Sequence, residues 1–459
     1  MSPIGRSNEN VAVNVESLVS SLELELGNAR LTMPPSYCIF KTPSILFRHR
    51  KKAFLPNCFS IGPMHHGKEN LVATDKIKTK YLKGLLSRVA TSHDPETMLS
   101  EEAKQQKILT DCINSIAIER KASDYYAGHD YAAELGDEFV KMLVRDGCFI
   151  VELFRKDAYE DIRDPDDPIF SMSCMLQFLH HDLILLENQI PWLVLETLFD
   201  ITKLPSETKS LIELALLFFR TKFSYNSTSL EPAIFKDQGI KHILDLLRLW
   251  VVLPSKVVNC TDFKSWDPIR SLTKLKEAGV QVKVVTEKSI LDIEFKDGVL
   301  KIPSLQIQET TETIFRNLIA YEQCLPNCPA IFISYAKVLD NLIDIPNDLD
   351  ILCSDLEYIL CKKNKEKISW DNWLSPEDAT QCFNNLYNDT YVKEFYYSKL
   401  CCDLNHYCKR WWPRWRASYV HNYFSKPWAI AAQIYALIIL FLTLWQTYGQ
   451  KGVKGGRKR

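Results

Sequence analysis

Along DKIKTKYLKGLLSRV, residues 75 to 89, the apolar positions Ile77, Tyr81, Leu82, Leu85 and Leu86 recur at three- and four-residue intervals with lysines between them. That spacing predicts a surface helix. Two longer periodic stretches, from about Ala132 to Phe154 and from Met172 to Leu186, predict further helices. They flank the acidic, proline-bearing loop DAYEDIRDPDDP at 157 to 168, whose composition predicts an exposed, mobile connection. Residues 11 to 26 are compatible with a short helix, whereas Pro34, Pro35, Pro43, Pro56 and Pro63 forbid long helices until about residue 70. Strand-like alternation is confined to residues 280 to 307. There VQVKVV and ILDIEF precede the turn Lys296-Asp297-Gly298 and VLKIPSLQI returns, which predicts a small antiparallel sheet. Helical spacing resumes in TETIFRNLIAYEQ, where Glu312 can pair with Arg316 while Ile314, Leu318 and Ile319 face the core.

Near the C-terminus the pattern changes to an uninterrupted apolar run. WAIAAQIYALIILFLTLWQTY, residues 428 to 448, carries no charge over 21 positions. As a helix it reaches roughly 31 Å, against a hydrocarbon core of about 30 Å. Trp428 stands at one edge and Trp445 and Tyr448 at the other, Ile438 and Leu440 lie between them, and Lys426 and Lys451 flank the segment. These five apolar and aromatic residues are read as a membrane anchor with the lipid bilayer as partner. The predicted fold is mainly α with a small antiparallel β-sheet (α+β), plus one C-terminal transmembrane helix. Its parts are a variable N-terminal segment (1–36), a large mainly helical domain of one or two subdomains (37–426), the transmembrane helix (427–448) and a short basic tail (449–459). The N-terminus shows no basic stretch followed by an apolar run, so the C-terminal helix is expected to direct insertion into the plasma membrane or an endomembrane. The bulk domain is then expected on the cytosolic side rather than outside. The tail cations Lys451, Lys454, Arg457, Lys458 and Arg459 favour the opposite orientation by the positive-inside rule.

Composition narrows the function classes. A formal charge of −1 offers no field to collect a polyanion, so nucleic acid is not expected as a partner. The 14 cysteines are scattered from Cys38 to Cys408 without repeating spacing, which fits free thiols in a reducing compartment. Asn226, Asn259 and Asn388 each open an Asn-x-Thr/Ser pattern, a potential glycan acceptor.

Three polar groups invite a chemical reading. His65 and His66, near Asn57 and Cys58, have the side chains of a metal ligand set or a general base. The turn set by Gly62-Pro63 and Gly67 supplies a structural alternative, in which they satisfy loop backbone groups. Glu187, Asn188 and Gln189 interrupt an apolar run just before Pro191. A carboxylate there could act as an acid, or the cluster could cap backbone at a helix break. Cys401, Cys402, His406 and Cys408 lie on a helical stretch where neighbours point about 100° apart, so they do not converge easily on one ion. Cys324 and Cys328 have the same status as isolated thiols. The chain has no G-x-S-x-G, Walker-type, G-x-G-x-x-G or H-E-x-x-H motif and only 15 glycines. No catalytic, cofactor-binding or metal-binding residue is assigned, no cofactor is called for, and no enzymatic activity is expected.

Several ordered strings resemble the plant family known only as domain of unknown function 247. They are FLPNCFSIGPMHHG (54 to 67), DGCFIVELF (146 to 154), DLILLENQIPWLVLETLF (182 to 199), LKEAGVQVK (275 to 283), LDIEFKDGVLKIPSLQI (291 to 307), TETIFRNLIAYEQC (311 to 324) and YFSKPWAIAAQIYALIILFLTLWQTY (423 to 448). Met64 stands where the family often has an aromatic, and residues 352 to 374 lack an expected glycine-bearing turn. The resemblance implies a C-terminal hydrophobic helix. It also points toward signalling, since some grass members are implicated as pollen-side determinants of self-incompatibility. It brings no catalytic residue. The function expected is recognition, signalling or scaffolding through an unidentified protein partner. The alternative is a membrane-bound, hydrolase-like enzyme using His65, His66 or Glu187, with His181 as a further candidate.

Overall fold

The computed structural model describes residues 15–28, 34–92, 100–118, 120–223, 232–259, 266–285, 289–305, 307–308, 310–352, 375–410 and 434–446. In chain order the helices of the first half are α1 (Val15–Asn28), α2 (Ser44–Phe47), α3 (Asp75–Ser92), α4 (Glu101–Ile118), α5 (Tyr131–Leu135), α6 (Asp137–Ala158), α7 (Pro168–Ser171), α8 (Ser173–Asp182), α9 (Trp192–Ile201) and α10 (Leu211–Phe223). Then come α11 (Ile243–Val252), α12 (Leu272–Glu277), strands β1 (Gln281–Val285), β2 (Glu294–Lys296) and β3 (Val299–Pro303), α13 (Thr311–Cys324) and α14 (Ile331–Leu342). Helices α15 (346–352), α16 (Pro376–Leu386), α17 (Ser398–Lys409) and α18 (434–446) complete the described chain.

The axis of the molecule is α6, whose residues are buried on nearly every side from Phe139 to Lys156. Helices α3, α4, α9 and α10 pack round it. A second group forms from α13, α14 and α16, with α11 touching both α10 and α13. One apolar core runs through both groups, from Cys38 to Cys408. Helices α3 and α13 keep the predicted faces: Tyr81, Leu85 and Leu86 are buried in one, Ile314, Leu318 and Ile319 in the other, and Arg316 Nε donates to Glu312 Oε1 at 2.8 Å. The helix expected from Ala132 is broken after one turn, because Gly136 takes φ +55 and separates α5 from α6.

Further expectations need correction. The sheet is mixed: β3 is central, antiparallel to β2 through the Asp297-Gly298 turn and parallel to β1, with Gln281 opposite Val299. Alternation fixes a strand's period but not its direction, and the β1–β2 connection carries Ile290, Leu291 and Ile293 into the core instead of turning tightly. The acidic loop at 157 to 168 is exposed at its tip yet stapled down. Lys156 Nζ reaches Asp164 and Asp167 at 3.0 and 2.8 Å, and Tyr81 Oη donates to Asp167 Oδ1 at 2.8 Å.

The remaining corrections concern the membrane. Among the described residues no helix is long and apolar enough to cross a membrane. This overturns the predicted transmembrane helix at 427–448, and with it the lipid bilayer as partner and the single-pass membrane localisation. Ile438, Leu440 and Trp445 sit exposed on α18, while Trp428, Tyr448 and the tail at 449–459 lie outside the described residues, as do 353–374 of the divergent stretch.

Gly62 shows how tightly the interior is threaded. It adopts φ +72 and ψ −174, and a Cβ there would stand 2.4 Å from the Gln189 carbonyl oxygen. That region of backbone space is essentially reserved for glycine. Gly62→Ala is expected to destabilise the protein by at least about 2 kcal/mol, from strain plus the clash. A urea midpoint that does not move would contradict this placement.

Candidate functional site

Prolines keep residues 54 to 67 from forming a helix, so their backbone N–H groups need partners from elsewhere. They find them on three side chains. Asp182, the last residue of α8, accepts from the N–H of Asn57 (2.7 Å), Cys58 (2.8 Å) and Phe59 (2.8 Å). Asn188 Oδ1 accepts from Ile61 N at 2.8 Å, and its Nδ2 donates to the carbonyls of Phe59 and Asp182, each at 2.9 Å. Asp146 on α6 accepts from Gly62 N at 3.0 Å. Its other oxygen receives Lys78 Nζ at 2.9 Å, and the same ammonium donates to the Ser60 carbonyl.

The Glu187-Asn188-Gln189 string is therefore divided in its work. Gln189 Nε2 donates to the carbonyls of Leu183 and Leu185 at 2.7 and 2.8 Å, satisfying the chain just past α8. Its Oε1 accepts from Leu244 N at 3.3 Å, at the start of α11. Glu187 alone turns toward the histidines: Oε1 accepts from Thr42 N at 2.8 Å, and Oε2 lies 3.6 Å from His65 Nε2.

His65 and His66 diverge. His65 is buried at the end of a 3₁₀ turn (Pro63–His65), with Nδ1 2.5 Å from Lys68 Nζ. Burial first, and the Lys68 cation second, pull its pKa from the usual 6.5 to about 4. The imidazole is thus neutral near neutral pH; Nδ1 accepts from Lys68, leaving the Nε2 proton to face Glu187. His66 points the other way, 4.0 Å from Glu138. His181 Nδ1 sits 2.9 Å from Asp182 Oδ1, among the groups that hold residues 57 to 59.

The thiols do not gather. Cys401 and Cys408 are buried in α17, whereas Cys402 and His406 are exposed. Burial pushes Cys324 and Cys328 up to about 12, and Cys58 is raised for the same reason. Among the described residues no three His, Cys, Asp or Glu side chains are arranged to hold a metal ion. Asn388 is exposed on the turn after α16, where its Nδ2 donates to Asn385 Oδ1 at 3.0 Å. Asn226 and the side chain of Asn259 lie outside the described residues.

Sequence reasoning missed Asp182, Asp146, Lys78 and His242. Asp182, Asp146 and His242 each stand beside an apolar run, which is the available signal, whereas Lys78 sits among other lysines and gives none; in each case the partner lies far away in sequence. His242 caps α11: Nδ1 accepts from Asp245 N at 3.2 Å while Nε2 donates to the Cys38 carbonyl at 3.1 Å. Burial, ahead of its charged neighbours, lowers its pKa to about 4, and burial does the same at His180. In the unfolded chain these imidazoles take up protons below about pH 6.5. Their contribution to stability is complete above that value and drains away as pH falls toward about 4. Glu152 and Glu322, raised by burial, act in the opposite sense at the acid end. The melting temperature is expected to fall between pH 6.5 and 4.5, and His242→Gln, though less stable at pH 7, should fall less steeply. Parallel curves in matched buffers would refute a buried, neutral His242.

Comparisons with known proteins follow the same residues. A sequence profile described as a plant protein of unknown function, DUF247, matches residues 39–442. The UPF0481 protein At3g47200 of Arabidopsis thaliana is 26% identical over 439 residues, covering 90% of this chain and 86% of that protein. The putative UPF0481 protein At3g02645 of Arabidopsis thaliana is 26% identical over 183 residues, 39% of this chain and 32% of that protein. No solved structure matches the chain.

Proposed function

We propose, from the premise that this chain belongs to the plant family of unknown function DUF247, that it acts in recognition, signalling or scaffolding by binding another protein and performs no catalysis. The observation that carries this reading is the direction of its polar groups. Asp146, Asp182, Asn188 and Gln189 spend their oxygens and nitrogens on the chain's own buried backbone. Groups so engaged rigidify a fold and are not free to bind or transfer a proton to a substrate. A scaffold whose polar interior is self-satisfied presents its specificity on its surface.

One arrangement favours a second reading. His65 between Lys68 and Glu187 has the order of a positioned imidazole, the residue type a hydrolase-like enzyme would use as base. Cross-linking the full-length chain in plant extract, followed by mass spectrometry, tests the two together. Protein binding predicts reproducible cross-links from one surface region that persist in Glu187→Gln. Loss of a metabolite conversion in Glu187→Gln, with no reproducible protein cross-link in either form, supports the enzyme instead.

A further inference from the structure

The described side chains of α1 are all exposed, and none of them joins the core. At about 100° per residue, Val15, Leu18, Val19, Leu22 and Leu26 fall within one arc of roughly 100°, the width of a core-facing stripe. Each is at least 47% exposed. Glu16 and Glu23 lie together along one margin of the stripe, and Val15–Asn28 contains Glu25 as a third acid but no lysine or arginine. A lone 14-residue helix is marginal in water, because its own hydrogen bonds barely offset nucleation. An amphipathic helix of this kind gains its stability from whatever covers the stripe.

We propose that α1 is a docking helix whose apolar stripe enters a groove on a partner protein rimmed by lysine or arginine. This rests on the protein-binding reading above and names the surface that serves it. The charge pattern selects the occupant. A second copy of α1 would set acidic margins against each other, and an anionic lipid surface would repel a segment with three acids and no base. A basic rim closes over Glu16 and Glu23 while the groove floor takes up the leucines, the helix-in-groove mode of recognition.

The test uses the full chain and fluorescence anisotropy with two labelled amphipathic helical peptides. Both have leucine along the apolar seam, one with lysine and one with glutamate at its margins. The lysine peptide is expected to bind at least tenfold tighter than the glutamate peptide. Leu18→Asp combined with Leu22→Asp should weaken it at least tenfold with an unchanged melting temperature, and Glu16→Lys with Glu23→Lys should reverse the preference. Equal binding of both peptides, or binding indifferent to Leu18→Asp/Leu22→Asp, overturns the proposal. So does a dimer in sedimentation, or co-sedimentation with phosphatidylserine vesicles, that disappears in the same variant. If protein cross-links persist unchanged in Leu18→Asp/Leu22→Asp, the docking helix fails while protein binding through another surface stands.

Discussion

Asp146→Ala is expected to destabilise the protein by about 3–5 kcal/mol, the usual penalty for stripping one partner from a buried ion pair. Lys78 and Asp146 side chains have no solvent exposure at all, and their charged atoms are 2.9 Å apart. Without the carboxylate, Lys78 keeps only the Ser60 carbonyl and the partly exposed Asp75, 3.0 Å away, while the Gly62 N–H loses its acceptor. The Lys78→Met, Asp146→Leu pair removes both charges and fills the space with apolar atoms. It should lie closer to the wild type than Asp146→Ala does, because no uncompensated charge remains. Urea midpoints of the two variants decide the matter. A loss under about 1 kcal/mol for Asp146→Ala means that water reaches Lys78 and that the pair does not hold residues 60 to 62.

That pair also marks where the sequence stops being informative. The spacing of Tyr81, Leu85 and Leu86 made α3 legible, and by the same logic the lysines between them read as solvated. Lys78 breaks that reading, since its partner stands 68 residues away on α6 and no local period records it. Within α13 everything needed was local, so both the Glu312–Arg316 pair and the buried face could be read directly. The Glu187-Asn188-Gln189 string was visible as polar residues in an apolar run. Which of them faces backbone and which faces His65 depends on residues 42 to 67, brought in by tertiary structure. The same holds for the sheet, where alternation located β1 and β3 but set the middle strand too early, since Ile290 to Ile293 enter the core as connection and β2 begins at Glu294, and only packing decides that β1 runs parallel to β3. The apolar run near the C-terminus was equally plain, yet among the described residues no helix is long and apolar enough to cross a membrane.

Asp182→Ala is expected to release the segment at 57 to 59 and to destabilise the protein by roughly 3–9 kcal/mol, taking about 1–3 kcal/mol for each of the three backbone donors left without an acceptor. The position argues for this role. A carboxylate at the last residue of a helix faces the negative end of the macrodipole and is locally unfavourable. Three backbone N–H groups at 2.7 to 2.8 Å, with His181 Nδ1 at 2.9 Å, outweigh that repulsion. The side chain is entirely buried, so water is not at hand to replace it. Asp182→Asn keeps one acceptor oxygen but turns an NH₂ toward donors that cannot accept, and should fall between the wild type and alanine. Amide exchange gives the sharper readout, because the loss is local before it is global. In Asp182→Ala the amides of Asn57, Cys58 and Phe59 should exchange much faster than those of Met142 to Phe154 in α6. Were these three amides to stay as protected as the α6 core, Asp182 would not be what holds the segment, and Asn188 with Asp146 would have to carry it alone.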